Sequence, residues 1–169
     1  MATAAQTVTS PAPVQHDAAS MRALLDAQRA DFTRTLPVPL AVRLDRLDRA
    51  IAMMIDHATE WCEACSADFG HRPAELTMIS DVLASSGALK HAKKHLSAWM
   101  KGERRKPMFP LGLLGASARV EYQPKGVVGI IAPWNFPIGM VMAPLAGVFA
   151  AGNRAIAKPS EFTPAVADL

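Results

Sequence analysis

The carboxyl-terminal part of the chain carries two short apolar runs with one longer apolar segment between them. The first run, residues 126–132, is rich in β-branched side chains and lies between two prolines, which is typical of a buried strand that is apolar on both faces. The segment 138–151 is too long for a strand and too short to span a bilayer, so it predicts a helix, kinked at Pro144. A second strand is predicted at 155–157. This order predicts parallel strands joined by a right-handed crossover.

Polar side chains follow both predicted strands. Asn135 lies in the turn after the first strand, and Lys158 and Glu161 follow the second. Open α/β sheets bind ligands at the carboxyl ends of their strands, where an amide donor can stabilise an oxyanion and a lysine–carboxylate pair can hold ribose hydroxyls. For an arbitrary sequence, the commoner interpretation is that Asn135 caps the turn and that the two charged side chains are merely solvated.

A longer stretch around these residues resembles a known family. Residues 127–137 closely resemble the aldehyde dehydrogenase superfamily, and the resemblance continues at matching spacing through 150–153 and 157–161. The segments 68–72 and 90–100 are similar to its bacterial coniferyl aldehyde dehydrogenase branch. The resemblance covers about residues 21–169.

The resemblance implies an oxidoreductase that converts an aldehyde, preferably aromatic, to the carboxylic acid with NAD(P)+ through a cysteine thiohemiacetal. It implies that Asn135 donates to the oxyanion of that intermediate and that Lys158 and Glu161 bind the adenosine ribose. The carboxylate of Glu161 favours NAD because it repels a 2′-phosphate, although the nearby Lys158 leaves NADP use open. The positions expected to line the cofactor cleft are Ile131, Ala132, Pro133 and Trp134.

Some residues that the family's chemistry requires have no matching position in this sequence. The nucleophilic cysteine, the general-base glutamate and the glycines near the cofactor pyrophosphate lie downstream in the family, so we expect this chain to be inactive alone. A helix start at 163–169, with a threonine cap and a proline in its first turn, also indicates a truncated fold. The alternative is a non-catalytic fragment that only associates with other subunits.

The chain divides into three predicted parts, which together indicate an α/β protein. Residues 1–18 show no periodicity and predict a flexible tail, while 19–115 predict an amino-terminal helical layer. Residues 116–169 predict part of a dinucleotide-binding domain. Within the layer we expect helices at about 19–35, 40–69 and 73–101 and a loop at 102–115; a strand follows at 116–122. The resemblance implies that this strand is part of an oligomerisation hairpin. The full-length enzyme is therefore expected to be a homo-oligomer, namely a dimer.

Two further patterns admit a functional and a plainer interpretation. Cys62 and Cys65 have the spacing of a redox site, but both fall on the apolar stripe of a predicted helix, which favours two core thiols. No metal site is expected, because no second Cys or Cys/His pair lies at zinc-finger spacing. The stretch 90–106 holds seven Lys or Arg residues, yet a solvated helix face explains them, and a net charge of +3 is small for a nucleic-acid binder.

Composition also limits where the protein is expected to act. No basic segment followed by an apolar core begins the chain, and no run reaches the length of a transmembrane span, so neither secretion nor membrane insertion is expected. Free cysteines are consistent with a reducing cytoplasm. The expected partner is therefore a small aldehyde rather than nucleic acid or a membrane.

Overall fold

The computed structural model describes residues 17–169, so the tail predicted at 1–18 lies outside the described residues apart from its last two positions. The second of these positions already belongs to a helix. Helix α1 spans Ala18–Arg34, and the Asp17 carboxylate caps it by accepting a 2.7 Å hydrogen bond from an amide of the first turn. The helix predicted at 19–35 is confirmed, beginning one residue earlier.

The long helix predicted at 40–69 is in fact two helices. Helix α2 spans Leu40–Asp56 and α3 spans Ala58–Phe69, with a break at His57. The break lets the Trp61 indole nitrogen donate to the carbonyl of Met53 at 3.4 Å. In one continuous helix these positions would lie about 12 Å apart along the axis. A single helix is therefore the wrong prediction here, because a tertiary contact of Trp61 requires the chain to turn.

The next predicted helix is continuous but not uniform. Helix α4 spans Ala74–Thr77, a π-helical segment occupies Met78–Leu83, and α5 spans Ala84–Trp99. The helix predicted at 73–101 is confirmed, whereas the π-helical segment is not foreseen by the apolar periodicity. A π-helical turn holds more residues than an α-helical turn, so side chains around it are rotated about the axis.

This rotation changes which side chains the helix buries. The apolar spacing that predicts this helix would bury Leu76, Ile79 and Leu83, and all three are exposed, as is Trp99 in the last turn of α5. Polar residues take their place inside, namely Thr77, Asp81, Ser85 and Ser86. The predicted burial is correct only beyond the π-helical segment, at Leu89, Ala92 and Leu96.

A small hairpin follows the helices. Strand β1 spans Glu103–Arg105 and pairs antiparallel with β2, Ala118–Val120; a 3₁₀ helix, Leu111–Leu114, lies in the connection. The strand predicted at 116–122 is confirmed in its centre. The loop predicted at 102–115 is wrong where β1 lies, because its charged residues carry no β pattern and the strand depends on pairing with β2.

The predicted strand–helix–strand unit is confirmed. Strand β3 spans Val127–Ile131, α6 spans Gly139–Ala150 and β4 spans Arg154–Lys158, with the two strands paired in parallel. A short final helix, α7, spans Pro164–Asp168. Within residues 17–169 no helix, α6 included, is both long enough and apolar enough to cross a bilayer.

Strand β3 is less buried than its sequence predicts. Ile130 is buried, whereas Ile131 is 82% exposed. Successive side chains of a strand point to opposite faces of the sheet. The described residues form a sheet of only β3 and β4, so they supply cover for one face and leave the other open. The expectation of burial on both faces is wrong for this stretch of chain.

The hydrophobic core lies where α2, α5 and α6 pack together. Among the side chains buried there are Leu47, Met54, Leu89, Leu96, Met142 and Ala146. The buried guanidinium of Arg43, in α2, donates to the carbonyl of Ala150 at 3.0 Å and so binds the last turn of α6; burial lowers its pKa. Gly152 follows with a positive φ of 81°, and a Cβ there would lie 2.9 Å from the guanidinium carbon. Glycine at this position thus allows α6 to be joined directly to β4.

Candidate functional site

The carboxyl ends of β3 and β4 meet at one edge of the sheet. Ile131 is in register with Lys158, and the amide of Ala132 donates to the carbonyl of Lys158 at 3.1 Å. The loop that carries Asn135 and the loop that carries Glu161 therefore leave adjacent parallel strands at the same level. This is the sheet edge at which open α/β folds bind ligands.

The Asn135 loop presents its polar group outward. Its two ends are buried at Ala132 and Pro137, whereas Asn135 is exposed together with the residues on either side. Within residues 17–169 the side-chain amide of Asn135 has no hydrogen-bond partner. Its main-chain carbonyl instead accepts a 3.1 Å hydrogen bond from Arg72. The side chain therefore does not cap the turn, and its amide is available as a donor.

Lys158 and Glu161 form an ion pair at the surface. The Lys158 Nζ lies 2.6 Å from the Glu161 carboxylate, and the two side chains are 60% and 70% exposed. The hydrogen bond from Lys158 lowers the pKa of the Glu161 carboxyl group below its usual 4.5. The carboxylate is thus ionised at neutral pH and can accept hydrogen bonds from a ligand.

The loop between β4 and α7 is anchored next to this ion pair. Ser160 and Thr163 are buried, and their main chains are joined by a 3.3 Å hydrogen bond. Thr163 stands at the start of α7, but its side chain makes no capping hydrogen bond, contrary to the sequence prediction. The cap comes from Asp68, whose carboxylate accepts 2.9 Å hydrogen bonds from the amides of Ala165 and Val166. Helix α3 therefore anchors the chain just beyond Glu161.

Two functional candidates escape the sequence analysis, Arg72 and Asp81. The Arg72 Nη2 lies 2.7 Å from the Asp81 carboxylate in a buried ion pair, and the other carboxylate oxygen accepts a 2.9 Å hydrogen bond from the amide of Gly139. The pair thus contacts the main chain on both sides of Phe136. Nothing in the spacing of Arg72 and Asp81 identifies them as partners of a loop some sixty positions later.

An open apolar cleft lies beside the Asn135 loop. Its volume is about 560 Å³. It runs between the π-helical region and the start of α6, next to Phe136. The residues that line it include Ala84, Phe136, Met140, Ala143 and Pro144. A cleft of this size and character suits a small apolar ligand.

The comparisons with known proteins show the family of this chain. The model of the Aldehyde dehydrogenase family matches residues 3–169. The chain belongs to the aldehyde dehydrogenase family. It is 49% identical over 166 residues to a probable coniferyl aldehyde dehydrogenase of Caulobacter vibrioides, covering 96% of this chain and 34% of that protein. It is 50% identical over 145 residues to the coniferyl aldehyde dehydrogenase of a Pseudomonas species, covering 86% of this chain and 29% of that protein.

A solved structure shows the same fold in another family member. The substrate-bound state of Staphylococcus aureus AldH matches with a TM-score of 0.81 and 29% identity, over 88% of this chain and 32% of that chain. The aldehyde dehydrogenase chain described here therefore spans about a third of the length of these relatives. Enzymes of this family use NAD(P) as the cofactor.

The two cysteines of this aldehyde dehydrogenase chain are core thiols. Cys62 and Cys65 are free and buried in α3. Burial raises the pKa of both thiols, that of Cys65 to about 11, so neither is a thiolate at neutral pH. Within residues 17–169 no group of three His, Cys, Asp or Glu side chains is placed to hold a metal ion.

The part of the basic stretch that lies in α5 faces solvent. Lys90, Lys93 and Lys94 are exposed on α5, opposite the buried Leu89 and Leu96. Lys93 forms an ion pair with Asp48 of α2. Their exposure is what the plainer interpretation predicts, and the expectation that this surface binds no nucleic acid stays a prediction.

Proposed function

We propose that the complete protein carrying these residues oxidises aromatic, coniferyl-type aldehydes to carboxylic acids with NAD as the preferred cofactor. The observation that carries the proposal is the meeting of two loops at one sheet edge, one with the unpartnered amide of Asn135 and one with the Lys158–Glu161 ion pair. The likeness to the coniferyl aldehyde dehydrogenases supports the substrate class, and the apolar cleft beside Phe136 is compatible with a flat ring.

In this proposal Asn135 stabilises charge on the substrate. When a nucleophile adds to the aldehyde carbon, the carbonyl oxygen becomes an oxyanion. The Asn135 side-chain N–H donates to that oxygen, and because the amide has no partner among residues 17–169, no hydrogen bond to these residues must break first. The effect is greater on the developing charge than on the neutral carbonyl, so it accelerates the addition step.

The cofactor in this proposal lies across the carboxyl ends of β3 and β4. NAD(P)+ supplies the hydride acceptor when bound. The ionised Glu161 accepts hydrogen bonds from ribose hydroxyls while Lys158 holds the carboxylate in place, a fit supported by their mutual 2.6 Å contact. The positions proposed to line the remainder of the cofactor cleft are Ile131, Ala132, Pro133 and Trp134.

The 169 residues alone are proposed to be inactive. Their cysteines are Cys62 and Cys65, and burial raises the pKa of both thiols so that they stay protonated at neutral pH. Without a thiolate nucleophile, the covalent step of the proposed mechanism has no attacking group.

The proposal is tested by assaying the complete gene product and the 169-residue chain in parallel. We expect the complete protein to form NADH with coniferyl aldehyde at a higher kcat/KM than with an aliphatic aldehyde, and the short chain to form none. Absence of NAD(P)H formation from the complete protein with either aldehyde would overturn the proposed activity. Turnover by the short chain that Asn135→Ala abolishes would overturn its proposed inactivity.

A second role, association of subunits, is favoured by the hairpin. Phe109, Leu113 and Leu114 in its connection are 81%, 80% and 79% exposed, and such an apolar surface is unusual on a monomer. We propose that this surface contributes to a homodimer of the complete protein. Light scattering after size exclusion tests it: Leu113→Ser with Leu114→Ser should shift the protein from dimer to monomer, and an unchanged mass would contradict the proposal.

A further inference from the structure

The helical layer holds the Asn135 loop from one side at several successive points. The Trp134 ring lies 6.3 Å from the Phe69 ring, and the Asn135 carbonyl accepts the hydrogen bond from Arg72. The Arg72 guanidinium carbon lies 5.0 Å from the centroid of the Phe69 ring and 5.6 Å from that of Phe136. Each residue from 134 to 136 therefore contacts either Arg72 or its neighbour Phe69.

Asp81 extends this contact to the start of α6. One carboxylate oxygen is bound by Arg72, and the other accepts the 2.9 Å hydrogen bond from the Gly139 amide, which no turn of the helix satisfies. The main-chain atoms held by the pair, the carbonyl of Asn135 and the amide of Gly139, lie on both sides of residues 136–138. The position of the Asn135 main chain is thus determined by two charged side chains of the helical layer.

The burial of this pair is costly for stability alone. The side chains of Arg72 and Asp81 are 7% and 0% exposed, and within residues 17–169 the Arg72 Nε has no hydrogen-bond partner. Removing two charges from water offsets much of their attraction, so apolar residues of similar size often stabilise a protein equally well. Fixed geometry at the loop is what an apolar pair would not provide.

The local helix geometry also serves the pair. Asp81 lies in the π-helical segment Met78–Leu83, and Ser80 of the same segment accepts a 3.0 Å hydrogen bond from Arg72. Single π-helical turns are rare in proteins, and those that occur often lie at functional sites. Here the segment coincides with the two side chains that bind Arg72.

We propose that Arg72 and Asp81 are positioning residues, which hold the Asn135 amide where the substrate oxyanion forms. The inference rests on the proposed function, because it assigns a task to the Asn135 side chain. Neither residue touches substrate in this proposal; both act through the main chain of the loop. An oxyanion donor must be held to within a fraction of an ångström, and a displacement of about 1 Å can lower turnover about a hundredfold.

The decisive variant replaces both members of the pair at once. Arg72→Met combined with Asp81→Leu, made in the complete gene product, leaves no unpaired buried charge, so we expect it to fold with a Tm close to that of the wild type. We expect kcat to fall about tenfold to a hundredfold while the Kd for NAD is unchanged. Amide hydrogen exchange at Met140, whose N–H donates to the carbonyl of Phe136 at 2.9 Å, should become faster, since the anchors of the loop are gone.

A matched control uses the ion pair between Arg154 and Asp31. It also joins the helical layer to the sheet, but at the amino end of β4, about 13 Å along the strand from Lys158. Arg154→Met combined with Asp31→Leu should leave both kcat and the amide exchange at Met140 unchanged. An equal loss of kcat in this control would mean that any weakening of the contact between layer and sheet suffices, which would overturn the assignment to Arg72 and Asp81.

A conservative variant covers the case in which the double variant fails to fold. Arg72→Lys keeps the charge next to Asp81 but lacks the forked guanidinium that reaches Asp81 and the Asn135 carbonyl together. We expect a smaller loss of kcat than in the double variant, with KM for NAD unchanged. Unchanged kcat in every folded variant, with unchanged amide exchange at Met140, would overturn the proposal. If the wild-type protein oxidises no aldehyde, the proposed function fails, and hydrogen exchange alone then decides whether the pair holds the loop.

Discussion

The loop after β3 and the loop after β4 reach the same edge of the sheet but are held in different ways. The main chain around Asn135 is bound by the buried pair of Arg72 and Asp81. The Lys158–Glu161 pair, in contrast, is exposed and its two members mainly hold each other. Both loops carry a residue with a proposed role, but only one is fixed by charges inside the protein.

This difference agrees with what each loop is proposed to do. A donor that stabilises a developing oxyanion must already be in place, because reorganisation during the reaction would cost part of the benefit. A carboxylate that binds ribose hydroxyls can adjust as the ligand arrives, since water solvates it until then. We infer that burial of the anchoring charges, rather than the number of contacts, distinguishes the reactive loop from the binding loop.

The largest expected effect is on stability and comes from breaking the buried pair on one side. Arg72→Met leaves the Asp81 carboxylate buried without its cation, so we expect the free energy of unfolding to fall by about 3–5 kcal/mol. Lys158→Met removes an exposed partner and should produce no change beyond experimental error. Urea unfolding followed by tryptophan fluorescence measures both, with the exposed Arg22→Met as the control. Equal losses at positions 72 and 158 would remove the distinction between the loops.

The next effect is on catalysis and comes from the reactive side chain itself. Asn135→Ala in the complete gene product should lower kcat about a hundredfold to a thousandfold, as expected for the loss of one oxyanion donor. The Kd for NAD should stay the same, because the alanine leaves the main-chain hydrogen bond from Arg72 in place. A weaker affinity for NAD with an unchanged kcat would assign Asn135 to cofactor binding instead.

The comparison also shows which features the sequence can and cannot predict. Strands β3 and β4, their parallel pairing and α6 follow from apolar runs bounded by proline and glycine, which are local signals. The break at His57 and the π-helical segment are not local. The break at His57 accompanies the hydrogen bond from the Trp61 side chain to Met53. The π-helical segment carries Asp81, whose partners Arg72 and Gly139 lie 9 and 58 positions away. Periodicity carries no information about such contacts.

The candidate site divides in the same way. Asn135, Lys158 and Glu161 stand out because polar residues directly after apolar strands mark the binding edge of a parallel sheet. Their roles remain predictions, although the structure brings the two strand ends together. Arg72 and Asp81 could not be found, since an arginine before a proline and an aspartate within a helix have many solvated equivalents. Only their burial distinguishes them.

A smaller effect is expected on cofactor choice. Glu161→Gln removes the negative charge that should repel a 2′-phosphate, so the ratio of kcat/KM with NADP to that with NAD should rise. The exposed Glu63→Gln is a matched control, because Glu63 makes no contact with the sheet edge within residues 17–169. An unchanged or lowered ratio for Glu161→Gln would contradict the assigned role of the carboxylate.

The smallest effect is expected in the pH dependence of NAD affinity. The hydrogen bond from Lys158 lowers the pKa of Glu161 below 4.5, so the carboxylate stays ionised above that pH, and its contribution is lost only as the pH falls through the lower folded value. The Kd for NAD should therefore show no titration by Glu161 between about pH 5 and 8. In Lys158→Met the carboxyl pKa should return towards 4.5, so the loss of affinity on acidification should begin at a higher pH. If the Kd for NAD depends on pH in the same way in the wild type and in Lys158→Met, the hydrogen bond from Lys158 does not help to keep Glu161 ionised for binding ribose.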